Sequence, residues 1–390
     1  VSYLHRQKLK IMKLKSLVLG TAAALSVASM AIADRGSDGH VNIIYWQAPS
    51  ILNPYLSGGT KDVESSSMII EPLARYNQDG ELTPWLVTEI PTVANGGVSA
   101  DLMSITWNIT PGIKWSDGSA FTAHDVVFSG EYCMDPDGGC AQSNKLADVS
   151  NIEALDDLTV KVSFSVAKPF PYGPFVGSEQ PIIQKAQFAD CMGAKAPECT
   201  EQNFGPIGTG PFRVTEFKAN DVISMEANPM YRDPAKPSFA TVTFKGGGDA
   251  AAAARTVLET GEFDYAWNLQ IDPAILSDME AAGKGTVTSS FGTAVERLMV
   301  NLSNPDPALG DKRSTLAGGP HPFLTDAAVR RALSLAIDRG ILTEVGYGAA
   351  GKPTCNVVPG PAIYVSTAND ECLVQDIAKA NNVLEAAGWK

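Results

Sequence analysis

Apolar and polar positions alternate in several short runs of this chain. Residues 41–45 (Val-Asn-Ile-Ile-Tyr) form a β-rich run, and Ile105, Trp107 and Ile109 alternate with polar neighbours, as do residues 158–164. That period of two predicts half-buried strands, and two more are expected at 213–217 and 223–227. Between them stand turn signals: Asp79-Gly80, Pro111-Gly112, Asp117-Gly118 and Asp156-Asp157. Residues 168–175 (Lys-Pro-Phe-Pro-Tyr-Gly-Pro-Phe) carry three prolines and must be extended or loop, and a domain crossing is expected near Gly177.

Helical spacing takes over later. An Ala-rich run opens at Asp249 and stops at Gly261, matching an N-cap and a C-terminal glycine. Thr325 or Asp326 caps a second helix whose apolar face is predicted as Val329, Ala332, Leu333, Ala336 and Ile337. A third covers residues 377–387. Thr122 and Asp125 stand at capping-box spacing, Asp replacing the usual Glu or Gln, ahead of Val126, Val127 and Phe128.

The N-terminus changes the picture of compartment. Lys13 and Lys15 precede an apolar, small-residue run over 17–30, and Ala31-Ile32-Ala33 fits a signal-peptidase site. Residues 1–33 therefore read as a cleaved secretory signal starting at Met12, and no Cys near the cleavage point suggests a lipid anchor. Those residues hold Arg6, Lys8, Lys10, Lys13 and Lys15 without an acid, so their removal deepens the net charge from −13 to −18. So acidic a chain repels phosphate backbones, which argues against nucleic acid or anionic membrane as partner.

Six cysteines follow, in close pairs: Cys133/Cys140, Cys191/Cys199 and Cys355/Cys372. In an oxidising compartment they read as three local disulfides, although six cysteines permit about 15 connectivities. Zinc prefers tighter Cys spacing and nearby His, whereas His5, His40, His124 and His321 are scattered, so no metal is expected.

Motifs for catalysis are missing. No Gly-x-Ser-x-Gly or His-Glu-x-x-His occurs, and Gly346-Tyr347-Gly348-Ala349-Ala350-Gly351-Lys352 resembles a phosphate loop only until Pro353 takes the place of the Ser/Thr that would hold magnesium. The Gly-rich run reads as a loop. No enzyme and no cofactor are expected.

Residues 107–129 (Trp-Asn-Ile-Thr-Pro-Gly-Ile-Lys-Trp-Ser-Asp-Gly-Ser-Ala-Phe-Thr-Ala-His-Asp-Val-Val-Phe-Ser) resemble the signature of the peptide/nickel class, family 5, of extracellular solute-binding proteins, the receptors of ABC importers. Pro206-Ile207-Gly208-Thr209-Gly210-Pro211-Phe212 with Asn228-Pro229-Met230-Tyr231 resembles a second signature. Gly261-Glu262-Phe263-Asp264 and Val329-Arg330-Arg331-Ala332-Leu333 through Ala336-Ile337-Asp338-Arg339 add two more. Near the start, Asn53 stands where the family usually has Asp.

The resemblance implies an α/β, two-lobed periplasmic-binding-protein-like fold (type II, cluster C-like) with an extra small domain on lobe 1. Lobe 1 is expected over 34–57 and 177–264, the accessory domain over 58–176, and part of lobe 2 over 265–390. The Ala387-Gly388-Trp389 ending matches a point from which the family continues, so lobe 2 is expected to be incomplete and the chain a C-terminally truncated form.

A monomeric periplasmic receptor is implied, capturing short peptides between its lobes and delivering them to the permease subunits of an ABC transporter. Ser57, Gly58, Gly59 and Thr60 match the segment that meets the peptide backbone, the glycines leaving room for close approach. Tyr265, Trp267, Asn268 and Gln270 follow the Gly-Glu-Phe-Asp strand where the chain crosses between lobes, with Trp267 as the expected aromatic wall. The family's ammonium-pairing aspartate lies beyond the matched residues. Rival readings keep the receptor and change the ligand to a nickel chelate, haem, an opine or an oligosaccharide, or make the chain a periplasmic hydrolase or a chemoreceptor accessory.

Overall fold

The structure, a computed structural model, describes residues 34–390, and the signal-peptide reading lies outside them. Ten strands are present: β1 (His40–Tyr45), β2 (Ala74–Tyr76), β3 (Leu82–Pro84), β4 (Ser104–Asn108), β5 (Val149–Asp156), β6 (Thr159–Phe164), β7 (Phe212–Lys218), β8 (Val222–Ala227), β9 (Thr241–Gly246) and β10 (Tyr265–Trp267). They form a five-stranded sheet in the order β10-β1-β9-β8-β7, a three-stranded sheet β4-β6-β5 and the hairpin β2-β3. In the large sheet β1 lies parallel to both β9 and β10, while β8 and β7 return antiparallel.

The alternation read from sequence matches what the strands bury. Ile105 and Trp107 of β4 and Val160, Val162 and Phe164 of β6 all point inward. One continuous apolar core joins these residues to Tyr45, Ile223, Met225, Val242 and Phe244 of the large sheet. The segment expected as an accessory domain therefore shares its core with the sheet beside it. Tyr265, expected to open the second lobe, is the first residue of the strand that closes this sheet's edge.

The stretch 107–129 folds as strand, turn and capped helix, and Asp125 explains its composition. Its carboxylate accepts from the Thr122 amide at 3.0 Å and the Thr122 hydroxyl at 3.3 Å. It also accepts from the Trp115 indole at 3.4 Å and the Lys185 amide at 3.0 Å. The helix Ala123–Met134 is thus fastened to the turn before it and to a segment 60 residues away. Asn53 has a similar logic. It is buried, donates to Tyr132 Oη (3.1 Å) and Asn203 Oδ1 (2.9 Å), and accepts from the Tyr55 amide (3.1 Å). An aspartate there would lack the donors this pocket requires.

The second pair of signatures meets around one buried carboxylate. Glu71 accepts from the Trp85 indole (2.6 Å), the Thr209 hydroxyl (2.9 Å) and both terminal nitrogens of Arg232 (2.7 and 3.2 Å). Arg75 lies 4.1 Å above the same Trp85 ring. Gly208 and Gly210 press against the main chain of Ile69, where a Cβ would collide with its carbonyl. Asn228 donates through its side chain to the Gly210 carbonyl at 2.8 Å, so the two motifs are bonded to each other.

Beyond Trp267 the described residues form helices and turns and no strand. The helix Ala327–Ala336, capped by Asp326, packs on the helix Ile377–Ala386 through Ala332, Leu335 and Ala380. Here the predicted apolar face needs correction: Leu335 is buried and Leu333 exposed. The face is set by packing, since Ala332 and Leu335 meet Ala380 of the helix Ile377–Ala386, and Ile337 drops out because the chain turns extended there before the next helix, Arg339–Tyr347, capped by Asp338. The glycine-rich run from Gly346 closes that second helix and makes a tight turn, with no strand before it. All three expected disulfides are formed, Cys133–Cys140, Cys191–Cys199 and Cys355–Cys372.

Arg232→Ala leaves Glu71 buried without its cation and should cost about 3 kcal/mol in chemical denaturation, part of which the double variant with Glu71→Met should recover. Gly208→Ala, which forces a methyl into the Ile69 carbonyl, should lower the unfolding free energy by about 2 kcal/mol in urea titrations.

Candidate functional site

The site begins with sheet register. β1 and β10 run parallel with Tyr45 opposite Trp267, so their last residues emerge side by side. The two rings stack with centroids 4.9 Å apart and planes 29° from parallel. In open sheets the crevice beyond the carboxyl ends of parallel strands is where ligands bind. Here β1 continues into Trp46 and Gln47, and β10 into Asn268, whose φ of +59° turns the chain away. Asn is among the few side chains that adopt this left-handed conformation readily.

A third wall comes from the helix Thr60–Ser66, with Gly59 at its N-cap. Tyr45, Trp46, Gln47, Gly59, Thr60, Lys61, Trp267 and Asn268 surround a pocket of about 100 Å³. That volume suits one side chain or one terminal group, well below the several hundred Å³ of a site that encloses a drug-sized ligand.

The wall is held in place by a buried acid. Asp62 accepts from the Ser50 amide (2.6 Å), the Ser57 hydroxyl (2.7 Å) and the Lys61 ammonium (2.9 Å). Ser57 Oγ also accepts from the Gly59 amide at 3.1 Å, so the Gly58-Gly59 backbone is suspended from this network. A Cβ on Gly59 would sit 3.2 Å from the Asp62 carboxylate, whereas Gly58 has open space around it. Burial pushes the Asp62 carboxyl up, but hydrogen bonds from Lys61, Ser50 and Ser57 outweigh burial and hold it below its ordinary value. The Tyr45 hydroxyl donates to Glu64, further along the same helix. Burial raises that hydroxyl far above its usual range, and Glu64 adds to the shift.

Of the residues singled out from sequence, Gly59, Thr60, Trp267 and Asn268 line this one pocket. Ser57 lies beneath it as a partner of Asp62, and Gly58 adjoins it. Tyr265 shares a strand face with Trp267 and is half exposed, while Gln270 is exposed and off the pocket. Tyr45, Trp46, Gln47 and Lys61 escaped sequence reasoning. The strand ending at Tyr45 was legible, but only the parallel register sets it against Trp267. A second, wider hollow of about 390 Å³ lies over the Cys133–Cys140 disulfide, away from these residues. Among the described residues no group of three or more His, Cys, Asp or Glu side chains is placed to hold a metal, and no helix is long and apolar enough to cross a membrane.

Because the folded Asp62 carboxyl titrates below its ordinary value of 3.8, the unfolded chain takes up the proton first on acidification. Its stabilisation is complete above that value and is lost as pH falls through the lower, folded one. Urea midpoints at pH 6 and pH 3 should therefore drop further in the wild type than in Asp62→Asn, which is the less stable protein at pH 6; equal drops would contradict this.

Comparison with known proteins places the chain. A profile of bacterial extracellular solute-binding proteins, family 5 Middle, matches residues 81–390. Protein XP55 of Streptomyces lividans is 26% identical over 95% of this chain and 61% of its own length. The glutathione-binding protein GsiB of Pectobacterium atrosepticum is 25% identical over 75% of this chain and 51% of its own. The solved structure of the oligopeptide-binding protein AppA from Bacillus subtilis, in complex with a nonapeptide, is 20% identical and superposes with a TM-score of 0.63 over 92% of this chain and 65% of that one. This chain thus spans between half and two thirds of the length of these proteins. The likeness to AppA carries the two-lobed α/β fold class. With the family profile matched over most of its length, the chain belongs to the bacterial extracellular solute-binding proteins of family 5.

Proposed function

We propose that this protein is the receptor of an ABC importer, a monomer that captures short peptides in the periplasm between two lobes and delivers them to membrane permease subunits. The observation that carries this reading is the pocket at the ends of β1 and β10, which Gly59 and Thr60 line together with the stacked rings of Tyr45 and Trp267. The exposed main chain of Gly58 suits strand-like pairing with an extended peptide, which is indifferent to side-chain identity, while the Gly59 amide donates to Ser57 and its carbonyl accepts from the Asp62 and Val63 amides. A pocket sized for one group fits a ligand that lies across it. Peptide ligands in the names of AppA and GsiB support the same chemistry. Ser57, Gly58, Gly59 and Thr60 then form the backbone-facing segment, with Tyr265, Trp267, Asn268 and Gln270 on the far side. The mature protein begins after Ala33 and carries no lipid.

Native mass spectrometry of the chain isolated without refolding from a bacterial periplasm tests this reading. Bound masses should fragment as a ladder of short peptides, and Trp267→Ala should weaken their binding about tenfold, roughly 1.4 kcal/mol. A single bound opine, chelate or sugar in place of peptides would overturn the peptide assignment and keep the receptor. Steady hydrolysis of peptide or ester by the pure chain would overturn the receptor itself.

A further inference from the structure

The pocket wall is gripped from two sides. Gly59 and Thr60, which line the pocket, follow directly on the segment 53–57. Ser57 is the joint. Its hydroxyl donates to Asp62 at 2.7 Å, within the network already described. Its carbonyl accepts from the side-chain amide of Gln142 at 3.4 Å. The same amide reaches the Pro54 carbonyl at 3.5 Å, and the Ala141 main-chain amide donates to the Tyr55 carbonyl at 2.8 Å. Three carbonyls of residues 54–57 are thus held by two adjacent residues, 85 to 88 positions away in sequence.

Neither bond from the Gln142 side chain is short, so both depend on that residue being kept in place. Gln142 is buried, and its own carbonyl accepts from the Lys145 amide at 3.0 Å and the Gln180 side chain at 3.5 Å. Just before Ala141 stands Cys140, joined to Cys133 at the end of the helix Ala123–Met134. Asp125 fastens that helix to Lys185, and Tyr132, next to Cys133, accepts from Asn53 at 3.1 Å. Between the two cysteines runs Met-Asp-Pro-Asp-Gly-Gly, folded by a local turn from the Gly138 amide to the Asp135 carbonyl. Two adjacent glycines give such a loop little stiffness of its own. The disulfide closes it and ties Cys140 to the anchored helix, with the two Cα atoms 5.1 Å apart.

We infer that Gln142, set in place by the Cys133–Cys140 disulfide, is a positioning residue for the pocket wall. It lies off the pocket and acts by fixing the segment from which Gly59 and Thr60 extend. Its bearing on ligand affinity rests on the receptor reading; its bearing on the wall does not.

Hydrogen exchange of the full chain, followed by mass spectrometry, reads the wall without any ligand. Across residues 56–63 the bonded amides include Gly59, held by Ser57, and Asp62 and Val63, held by the Gly59 carbonyl. Gln142→Met, similar in size but without a donor, should raise exchange there about tenfold, as should Cys133→Ala combined with Cys140→Ala. Exchange in β8 should stay as in the wild type. Removing the Cys355–Cys372 disulfide, in another part of the chain, should leave the wall unchanged. Calorimetric titration with tri-alanine should show about fivefold weaker binding in both wall variants.

Unchanged wall exchange in either variant once folded, or an increase spread evenly into β8, overturns the inference, because the residues then serve overall stability alone. Gln142→Met keeps the disulfide and every apolar core residue, so it decides the matter should the cysteine variant fail to fold. A loosened wall with undiminished tri-alanine affinity also overturns it and leaves the peptide receptor standing. If tri-alanine does not bind the wild type while exchange responds as stated, the peptide reading fails and the positioning role stands.

Discussion

Much of this architecture converges on the buried carboxylate of Glu71. Trp85, Thr209 and Arg232 come from three distant parts of the chain, and each donates to it. A charge so removed from water is tolerable only when every lone pair has a donor. That requirement fixes the hairpin β2-β3 against the approach to β7 and the exit of β8. The close passage of Gly208 and Gly210 over Ile69 follows from the same junction, since any larger residue would hold the segments apart. The five-stranded sheet and the segment expected as an accessory domain share one core across this junction.

The candidate site inherits its geometry from that scaffold. The strand β1 is central in a parallel trio, so its end is presented with those of β9 and β10 on one edge of the sheet. Lys61 and Asp62 neutralise each other beneath the Gly58-Gly59 backbone, and they set its height relative to Tyr45 and Trp267. Stability and binding are coupled here: the network that holds the wall is made of the residues that flank it.

Much was legible before any coordinates. Asp249, Asp326 and the Thr122–Asp125 pair cap the helices expected of them, because a cap depends on residues within one turn. The cysteines pair with their nearest neighbours, as short loops allow. Where local rules compete with an adjoining element they fail. Leu333 fits the helical stripe as well as Leu335 does, and only the packing against Ala380 decides between them. Asn53 departs from its family's aspartate for a reason held by Asn203 and Tyr132, far away in sequence.

From sequence alone came several of the strands and helices with their caps, the disulfide scheme, the acidic charge and the family, since each rests on spacing within a few residues or on ordered motifs, whereas β5, β9 and the helices Thr60–Ser66 and Arg339–Tyr347 did not. Half of the pocket was named as well: Gly59, Thr60, Trp267 and Asn268. Tertiary structure alone decided that these four meet Tyr45, Trp46, Gln47 and Lys61, and that Asp62 is buried where Ser50 and Ser57 also donate to it. The physical reason is that a strand's register with a partner 220 residues away is set by hydrogen bonds and core packing across the whole sheet, and no local pattern encodes which two ends will share a crevice.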